Sequence, residues 1–588
     1  MEKASKLKSN TFITRFNRDF YSEKEEFSYI GDGVMGGKAA GLASIKEKIV
    51  YFYENHPIPA VHIHIPRLVV ITTQFFDLFL KENNLADIAF ADLTDERMAY
   101  HFLKAELPAS LIGDLWALIQ TVHLPLAIRS SSLMEDSLNQ PFAGIYATKM
   151  IPNNQSDVET RFRKLTEAIK FVYASTFFQS AKSYMKTTAH RLEDEKMAVI
   201  IQEVVGMRHN DRFYPTISGV ARSYNFYPTG HAAPEDGVVN LALGLGKTIV
   251  DGGAVWTYSP EYPETSPPYN SIHDLLTQTQ LDFWAIHMGL PPIFDPTQET
   301  EYLTQLSLKD AEYDNALTYI ASTYDCSSDR LTIGTGCPGP RVLNFAPILQ
   351  VELLPVNRAI QSVLHLCEER FGTNVEIEFA LSIASPGIGR TNARFGVLQV
   401  RPMALNTTLV ELDERSWSRE RVLAASNNVM GNGRVTGIRD IVYVDPHAFQ
   451  LSDSREIAQE LDAFNRQLVE AGAQYLLIGF GRWGTSDPWL GIPANWGQIS
   501  GARIIIESQL PGIAVDFSQG SHFFHNMSNL GILYFSLKRE EPYPIDWAWL
   551  QRHQPVRAAT FIRHVHLPSP LTVEVDGRTR QGVIFKNE

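Results

Sequence analysis

The chain has 588 residues, with 52 Lys and Arg against 66 Asp and Glu, for a formal net charge of −14. Hydrophobic residues make up 44%, aromatic residues 11% and charged residues 20%, a balance that excludes a disordered, collagen-like or disulfide-stapled chain. The acidic surplus speaks against recognition of nucleic acid or an anionic membrane through the overall field, so any phosphate site has to be a local basic cleft.

At about 100–200 residues per domain, the length allows three to five domains or subdomains. The N-terminal MEKASKLKSN has positive charge but no apolar region behind it, and no run approaches the ~18 uninterrupted apolar residues of a membrane span. Cys326, Cys337 and Cys367 form no CxxC pair, which fits a reducing compartment and leaves a thiolate metal site unsupported. The expectation is a cytoplasmic protein.

Residues 1–30 are charged and aromatic without clear period, and the Gly-rich stretch GDGVMGGKAAGL (31–42) opens a helical pattern. In IPRLVVITTQFFDLFL (65–80) a buried strand from Leu68 to Thr72 passes into a helix through Thr73. LPLAIRSSS (124–132) has strand character, and EAIKFVYASTFFQSAKSYM (167–185) has the apolar spacing of one amphipathic helix. MAVIIQEVVG (197–206) and ISGVARSYNF (217–226) read as strands. Between about 230 and 345 the chain is rich in Pro, Gly, Tyr and Thr and reads as irregular surface excursion. A helix over 356–370 precedes the strand NVEIEFAL, a Gly- and Pro-containing loop and the strand FGVLQVRP. The charged segment 409–421 reads as an interdomain linker or exposed helix, and the remainder has enough strand, helix and turn signals for a further domain.

Two strands carry the strongest local argument. Alternation in Val375-Glu376-Ile377-Glu378-Phe379 turns both glutamates to one face, and in Val397-Leu398-Gln399-Val400-Arg401 it turns Gln399 and Arg401 to one face. If the strands pair, two carboxylates, an amide oxygen and a guanidinium share a surface. Hard oxygen ligands of that kind hold Mg²⁺ together with substrate phosphates, and arginine neutralises phosphate oxygens. Alternation alone equally describes a half-buried strand with a solvated polar face.

Gly36-Gly37-Lys38 offers backbone N–H groups and an ammonium at a helix start, suited to phosphate, although GxxxxGK[ST] spacing is lacking and such a turn often is only a turn. Arg129-Ser130-Ser131-Ser132 ends a strand and is followed by Glu135-Asp136 and Phe142-Ala143-Gly144. That arrangement suits bidentate grip of phosphate under a Gly-containing loop, or a polar strand-to-helix turn with capping serines. His522, in Gly520-Ser521-His522-Phe523-Phe524-His525, is one of 17 histidines. Its phenylalanine neighbours suit a packed ring, whereas the preceding Gly and Ser suit an accessible, phosphoryl-accepting imidazole. Gly481-Arg482-Trp483-Gly484-Thr485-Ser486-Asp487-Pro488-Trp489 suits either a recognition surface or a loop pinned onto its domain.

Taken in order, VMGGKAAGLA, the IPRLVVITTQFF run, LAIRSSSLMEDSLNQPFAGIYAT, IKFVYASTFFQSAKSY, MAVIIQEVV, SGVARSYN, LALGLGKTIVDGG, and EIEFAL with VLQVRPM resemble the nucleotide-binding domain of the phosphoenolpyruvate synthase and pyruvate phosphate dikinase family. The resemblance spans about 32–403. It implies an α+β multidomain chain: an ATP-grasp-like domain over 1–405, a linker over 406–425, and a smaller, divergent, swivelling phosphohistidine-like α/β domain over 426–588. It implies that Lys38 and Arg129 contact ATP phosphates, that the loop around Gly144 covers them, and that the strand from Gln202 and Glu203 to Val205 meets the adenine. Glu376, Glu378 and Gln399 match metal- and nucleotide-binding positions, and Arg401 matches a phosphate-contacting arginine. The implied cofactors are ATP and Mg²⁺.

This sequence departs from the family pattern with Lys247 where Glu is common and Glu376 where Asp is common, and with a longer 381–396 loop. GNGRVTGIRDIVYVDP (431–446) resembles the opening strands of the swivelling domain, and NWGQISGARIIIES (495–508) the approach to its histidine strand. His522 matches the phosphocarrier position, with His525 the next choice, but Phe523-Phe524 replaces the family's Ala-Ala. The length expected for the family's phosphoenolpyruvate-binding barrel is missing.

The reading is therefore an ATP-dependent, dikinase-like phosphotransferase with paired acceptors. A phosphoryl group passes to His522 and then to an unknown acceptor, a small molecule being favoured over a protein. No nucleic-acid or membrane partner is expected, and a homo-oligomer is left open. The alternatives are a catalytically reduced ATP-binding regulatory or scaffold protein, and an antibiotic or small-molecule phosphotransferase lacking the barrel.

Overall fold

The computed structural model describes residues 13–18, 26–133, 135, 145–185, 192–225, 228, 231–251, 253–265, 275–276, 279–290, 294–384, 392–403, 410, 412–484, 489, 491–494, 496–509, 532–538, 541–577 and 579–587. They form a mixed α/β chain with several sheets. In chain order the elements that position the site are β1 (Thr14–Arg15), β2 (Phe27–Ile30), α1 (Gly36–Asn55), β3 (Val61–His64), β4 (Leu68–Ile71), β5 (Leu126–Ser132), β6 (Thr148–Ile151), α2 (Val158–Ser175), α3 (Gln179–Met185), β7 (Met197–Glu203), β8 (Ile217–Arg222), β9 (Val238–Ala242), β10 (Trp256–Tyr258), α4 (Val356–Phe371), β11 (Val375–Ile383) and β12 (Ala393–Pro402).

Two six-stranded sheets result. The first has the order β1-β2-β4-β7-β5-β6, and the second β10-β9-β8-β11-β12-β3. β5 and β7 are buried along almost their whole length, which accounts for the apolar run Met197–Ile201 of β7 and leaves the Arg129 and serine side chains of β5 inside the protein. The strand from Leu68 runs only to Ile71, and the helix expected through Thr73 spans Thr73–Glu82. The helix expected as one piece over 167–185 starts earlier and is broken into α2 and α3 at Thr176-Phe177-Phe178. β-Branched and aromatic side chains are poor helix formers there, and the Ser175 hydroxyl donates back to the Val172 carbonyl at 2.7 Å.

The stretch 230–345 corrects the expectation of irregular structure. It supplies β9, β10 and the short strands Asp282–His287, Leu303–Ser307, Ala321–Asp325, Arg330–Ile333 and Arg341–Leu343. Strands of three to six residues are too brief for alternation to stand out among turn residues, and their pairing partners are what make them strands.

The C-terminal part builds a third sheet from β13 (Val422–Ser426), β14 (Val429–Met430), β15 (Gly433–Val444), β16 (Tyr475–Phe480), β17 (Ala502–Ser508), β18 (Leu533–Leu537), β19 (Ile562–Asp576) and β20 (Gln581–Phe585), in the order β13-β20-β19-β15-β16-β17-β18-β14. β13 begins inside the segment expected as a linker. The inner four strands β15 to β18 run parallel, and α5 (Ser454–Glu470) makes the crossover between β15 and β16, as parallel neighbours require. Trp483 is fully buried and packs where a Cβ on Gly479 would lie 2.2 Å from its ring, so this tryptophan of the Gly-rich string belongs to the core, whereas Trp489 is exposed.

One cluster of buried apolar side chains runs from the helical side of the first sheet, through Phe76, Phe102, Tyr173 and Met185, into the C-terminal sheet through Phe464, Leu477 and Ile505. Among the described residues no helix is long and apolar enough to cross a membrane.

Helix α1 lies directly on β12: a Cβ on Gly41 would stand 2.6 Å from the Val400 carbonyl oxygen. Alanine is the better helix former by about 1 kcal/mol, but this overlap outweighs that gain. Gly41→Ala should destabilise the protein by about 1–3 kcal/mol in denaturant unfolding; equal or higher stability would show that the helix and strand part without cost.

Candidate functional site

The site begins where α1 meets β5. Gly36 has φ +76°, and a Cβ there would stand 1.7 Å from the Ser131 carbonyl oxygen, so only glycine permits the approach. The Ser131 hydroxyl donates to the Met35 carbonyl at 2.8 Å and accepts the Ala39 N–H at 3.1 Å, which ties the first turn of α1 to the end of β5. Lys38 is thereby turned inward. Its ammonium donates to Glu135 Oε1 at 2.6 Å and to Ser130 Oγ at 3.0 Å. Glu135 is buried, and its other oxygen accepts the Ser132 N–H at 2.8 Å, so the lysine is held by a carboxylate that is itself fixed in place.

β11 and β12 pair antiparallel with Glu376 opposite Arg401 and Glu378 opposite Gln399. Residues opposite each other share a face, so the four side chains expected on one surface are on one surface. β8 extends the rows, with Arg222 opposite Glu376. The Glu376 carboxylate is gripped by Arg222 through one oxygen and by Arg401 through the other, and all three residues are at most 5% exposed. Such a buried Arg–Glu–Arg row keeps its charges only because each is paired.

From the first sheet, Arg129 on β5 reaches this surface. Its Nη2 donates to Glu378 Oε2 at 3.0 Å and to Gln399 Oε1 at 2.9 Å; its Nη1 donates to the Leu398 carbonyl at 2.8 Å and to Gln202 Oε1 at 3.3 Å. Gln202 is 2% exposed, and among the described residues its Nε2 has no hydrogen-bond partner, which leaves a buried donor beside the guanidinium. Glu203, next on β7, forms an ion pair with Arg67 at 3.6 Å. Val205 packs where a Cβ on Gly396 would meet it at 2.5 Å. Near these residues Ala127, Val204, Leu245 and Met288 form a small apolar cluster with Met150 and Trp284 at its border. Lys247, which follows Leu245 by two residues, is paired with Asp251 at 3.0 Å, so its charge is answered within its own short helix.

Arg129, Gln202, Glu378 and Gln399 are thus in direct contact, Lys38 is anchored on the residue after Arg129, and Glu376 and Arg401 occupy the neighbouring row. Gly144, His522 and His525 lie outside the described residues.

A sequence model described as pyruvate phosphate dikinase, AMP/ATP-binding domain, matches residues 33–417. The chain belongs to this family. No curated protein matches it. The matched residues include all six strands of the second sheet and β4, β5, β6 and β7 of the first, and ATP is the nucleotide that the family implies.

Sequence reasoning did not single out Arg222 as a partner of Glu376 or Glu135 as the partner of Lys38. Alternation along β8 puts Arg222 on a definite face, but its meeting with Glu376 depends on the strand register, which a single sequence does not display. It also passed over Glu195. This buried carboxyl accepts from Tyr146 Oη at 3.0 Å and from the N–H groups of Leu133 at 3.2 Å and Lys196 at 3.0 Å. Burial, reinforced by the nearby charge of Glu135, pushes it up to about 7 in spite of those hydrogen bonds.

Glu195 therefore keeps its proton in the folded protein at pH values where the unfolded chain has released it. The stability it contributes is complete below the ordinary glutamate range and is lost as pH rises to about 7. Unfolding of the wild type and Glu195→Gln between pH 4.5 and pH 8 should diverge, with the wild type losing on the order of 3 kcal/mol relative to the variant; parallel curves would show that Glu195 is ionised throughout.

Proposed function

We propose that the chain is an ATP-dependent phosphotransferase of the dikinase type, organised as a nucleotide-binding unit over 1–405 and a phosphohistidine-like unit over 426–588. The observation that carries this reading is the meeting of Arg129 with Glu378 and Gln399 across two sheets, beside the anchored Lys38. Lys38, Arg129 and Arg401 would hold phosphate oxygens. The buried donor of Gln202, with Glu203 and Val205 behind it and the small apolar cluster beside it, would receive the base. The loop at Gly144 would cover the phosphates.

The donor set also fits Mg²⁺: Glu378 Oε2 and Gln399 Oε1 are hard oxygens that already converge on one cationic group, Arg129 Nη2. Bound there, the metal would supply charge neutralisation for the transferred phosphoryl group. Glu376 was expected among the metal ligands. With both oxygens engaged by guanidinium groups, its proposed role is instead to position Arg401.

In the proposed reaction a ring nitrogen of His522 attacks a phosphorus of ATP and the N–P bond forms as the bridging P–O bond breaks. Attack at the γ-phosphorus releases ADP and leaves a phosphoryl group on the histidine, attack at the β-phosphorus releases AMP and leaves a pyrophosphoryl group, and the histidine-borne phosphoryl group later passes to a second acceptor. The basic side chains act by position and charge, the main requirements of phosphoryl transfer. A second reading, direct phosphorylation of a small molecule without a swinging carrier, draws support from the apolar cluster shared by the first and C-terminal sheets, because a carrier that swings needs a weaker interface.

Incubation with γ- or β-labelled ATP should leave an acid-labile label on the wild type and none on His522→Ala, and Arg129→Met should lower the rate about 100-fold or more. Equal labelling of both would remove His522 from the reaction. Nucleotide hydrolysis products, AMP or ADP, separate dikinase from simple kinase chemistry, and their absence over hours would favour a regulatory or scaffold protein.

A further inference from the structure

The two oxygens suited to a metal are both hydrogen-bonded to a single nitrogen of Arg129. Nη2 lies 3.0 Å from Glu378 Oε2 and 2.9 Å from Gln399 Oε1, and these two residues stand directly opposite each other on β11 and β12. A guanidinium cannot discharge itself by losing a proton. A divalent cation on the same pair of oxygens would stand close to it, among largely buried groups where like charges repel strongly. The two cations therefore exclude each other from these oxygens.

The other edge of the guanidinium has its own tethers. Nη1 donates to the Leu398 carbonyl at 2.8 Å and to Gln202 Oε1 at 3.3 Å, both neutral acceptors that do not belong to the metal's donor pair. When Nη2 is displaced, these bonds keep Nη1 in place, and the guanidinium pivots about that edge.

We propose that Arg129 is an internal counter-cation which Mg²⁺ displaces from Glu378 and Gln399, so that binding of the metal hands the guanidinium over to the phosphates and makes metal and nucleotide bind cooperatively. This rests on the reading of the cleft as a site for ATP with Mg²⁺. By linkage the coupling is reciprocal, each ligand raising the affinity for the other by the same factor. Its consequence is counter-intuitive: removal of a metal ligand strengthens the binding of ATP without metal, because the arginine is then released in advance.

Calorimetric titration of the full chain with ATP, in EDTA and in Mg²⁺, tests this without any turnover. Glu378→Gln should bind ATP in EDTA about tenfold more tightly than the wild type and lose most of the gain from Mg²⁺. Gln399→Leu, which removes an oxygen without removing a charge, should move both quantities in the same direction and stands in if Glu378→Gln does not fold. In an Arg129→Gln background the tightening by Glu378→Gln should vanish, as a double-mutant cycle reports for groups that act through each other. Tightening that persists in that background means simple charge repulsion and overturns the proposal, as does a Glu378→Gln variant with unchanged or weaker metal-free binding. A wild type that binds no ATP even with Mg²⁺ instead overturns the assignment of the cleft itself, and the proposal with it.

Discussion

The register between β11 and β12 is the constraint on which the rest of the site depends. It sets Glu376 opposite Arg401 and Glu378 opposite Gln399, and a slip of β12 by one residue would turn Gln399 and Arg401 to the other face and bring Leu398 and Val400 beside the two glutamates. The register is held from several sides. β8 adds Arg222 to the first row, α1 presses Gly41 onto the backbone of Val400, and Arg129 reaches from the first sheet to bond with the backbone of Leu398 as well as the two side chains. The polar face and the packing of the two sheets are one arrangement.

Electrostatically the cleft is a set of internal substitutes. Lys38 is answered by Glu135, Arg129 by Glu378, and Arg222 and Arg401 jointly by Glu376. Buried cations require such partners, and each carboxylate holds its cation in a definite place. A polyanionic ligand can take over some of these pairs without the protein having to bring in new charge, so preorganisation and the cost of burial are met by the same carboxylates. The overall charge of −14 is compatible with a phosphate site for this reason: the field that matters is local and short-ranged.

The C-terminal sheet has the parallel inner strands and crossover helix of a βαβ unit, and β17 and β18 are parallel neighbours whose connection contains His522. It is not separated from the first sheet by a purely polar boundary. Arg580 donates to the Pro228 carbonyl at 2.8 Å, and apolar side chains run continuously between the two parts. Any transfer by a moving carrier would have to expose that surface.

Much of this was legible in the chain itself. The strands at 68–71, 126–132, 375–383 and 393–402, the helix over 356–371 and the shared face of Glu376, Glu378, Gln399 and Arg401 follow from apolar runs and alternation, which are local consequences of strand and helix geometry. The short strands between 238 and 343 were not legible, because three to six residues carry too little period and owe their form to their neighbours. Nor was the pairing of Glu376 with two arginines. Its residue type suits a metal, and only the register with Arg222 and Arg401 commits both of its oxygens elsewhere. By itself the sequence determined which side chains share a face, since that depends on dihedral angles one residue at a time; which of those side chains meet, and which charges are already answered, was decided only when distant strands came into register, because a contact across a sheet is a property of two segments together.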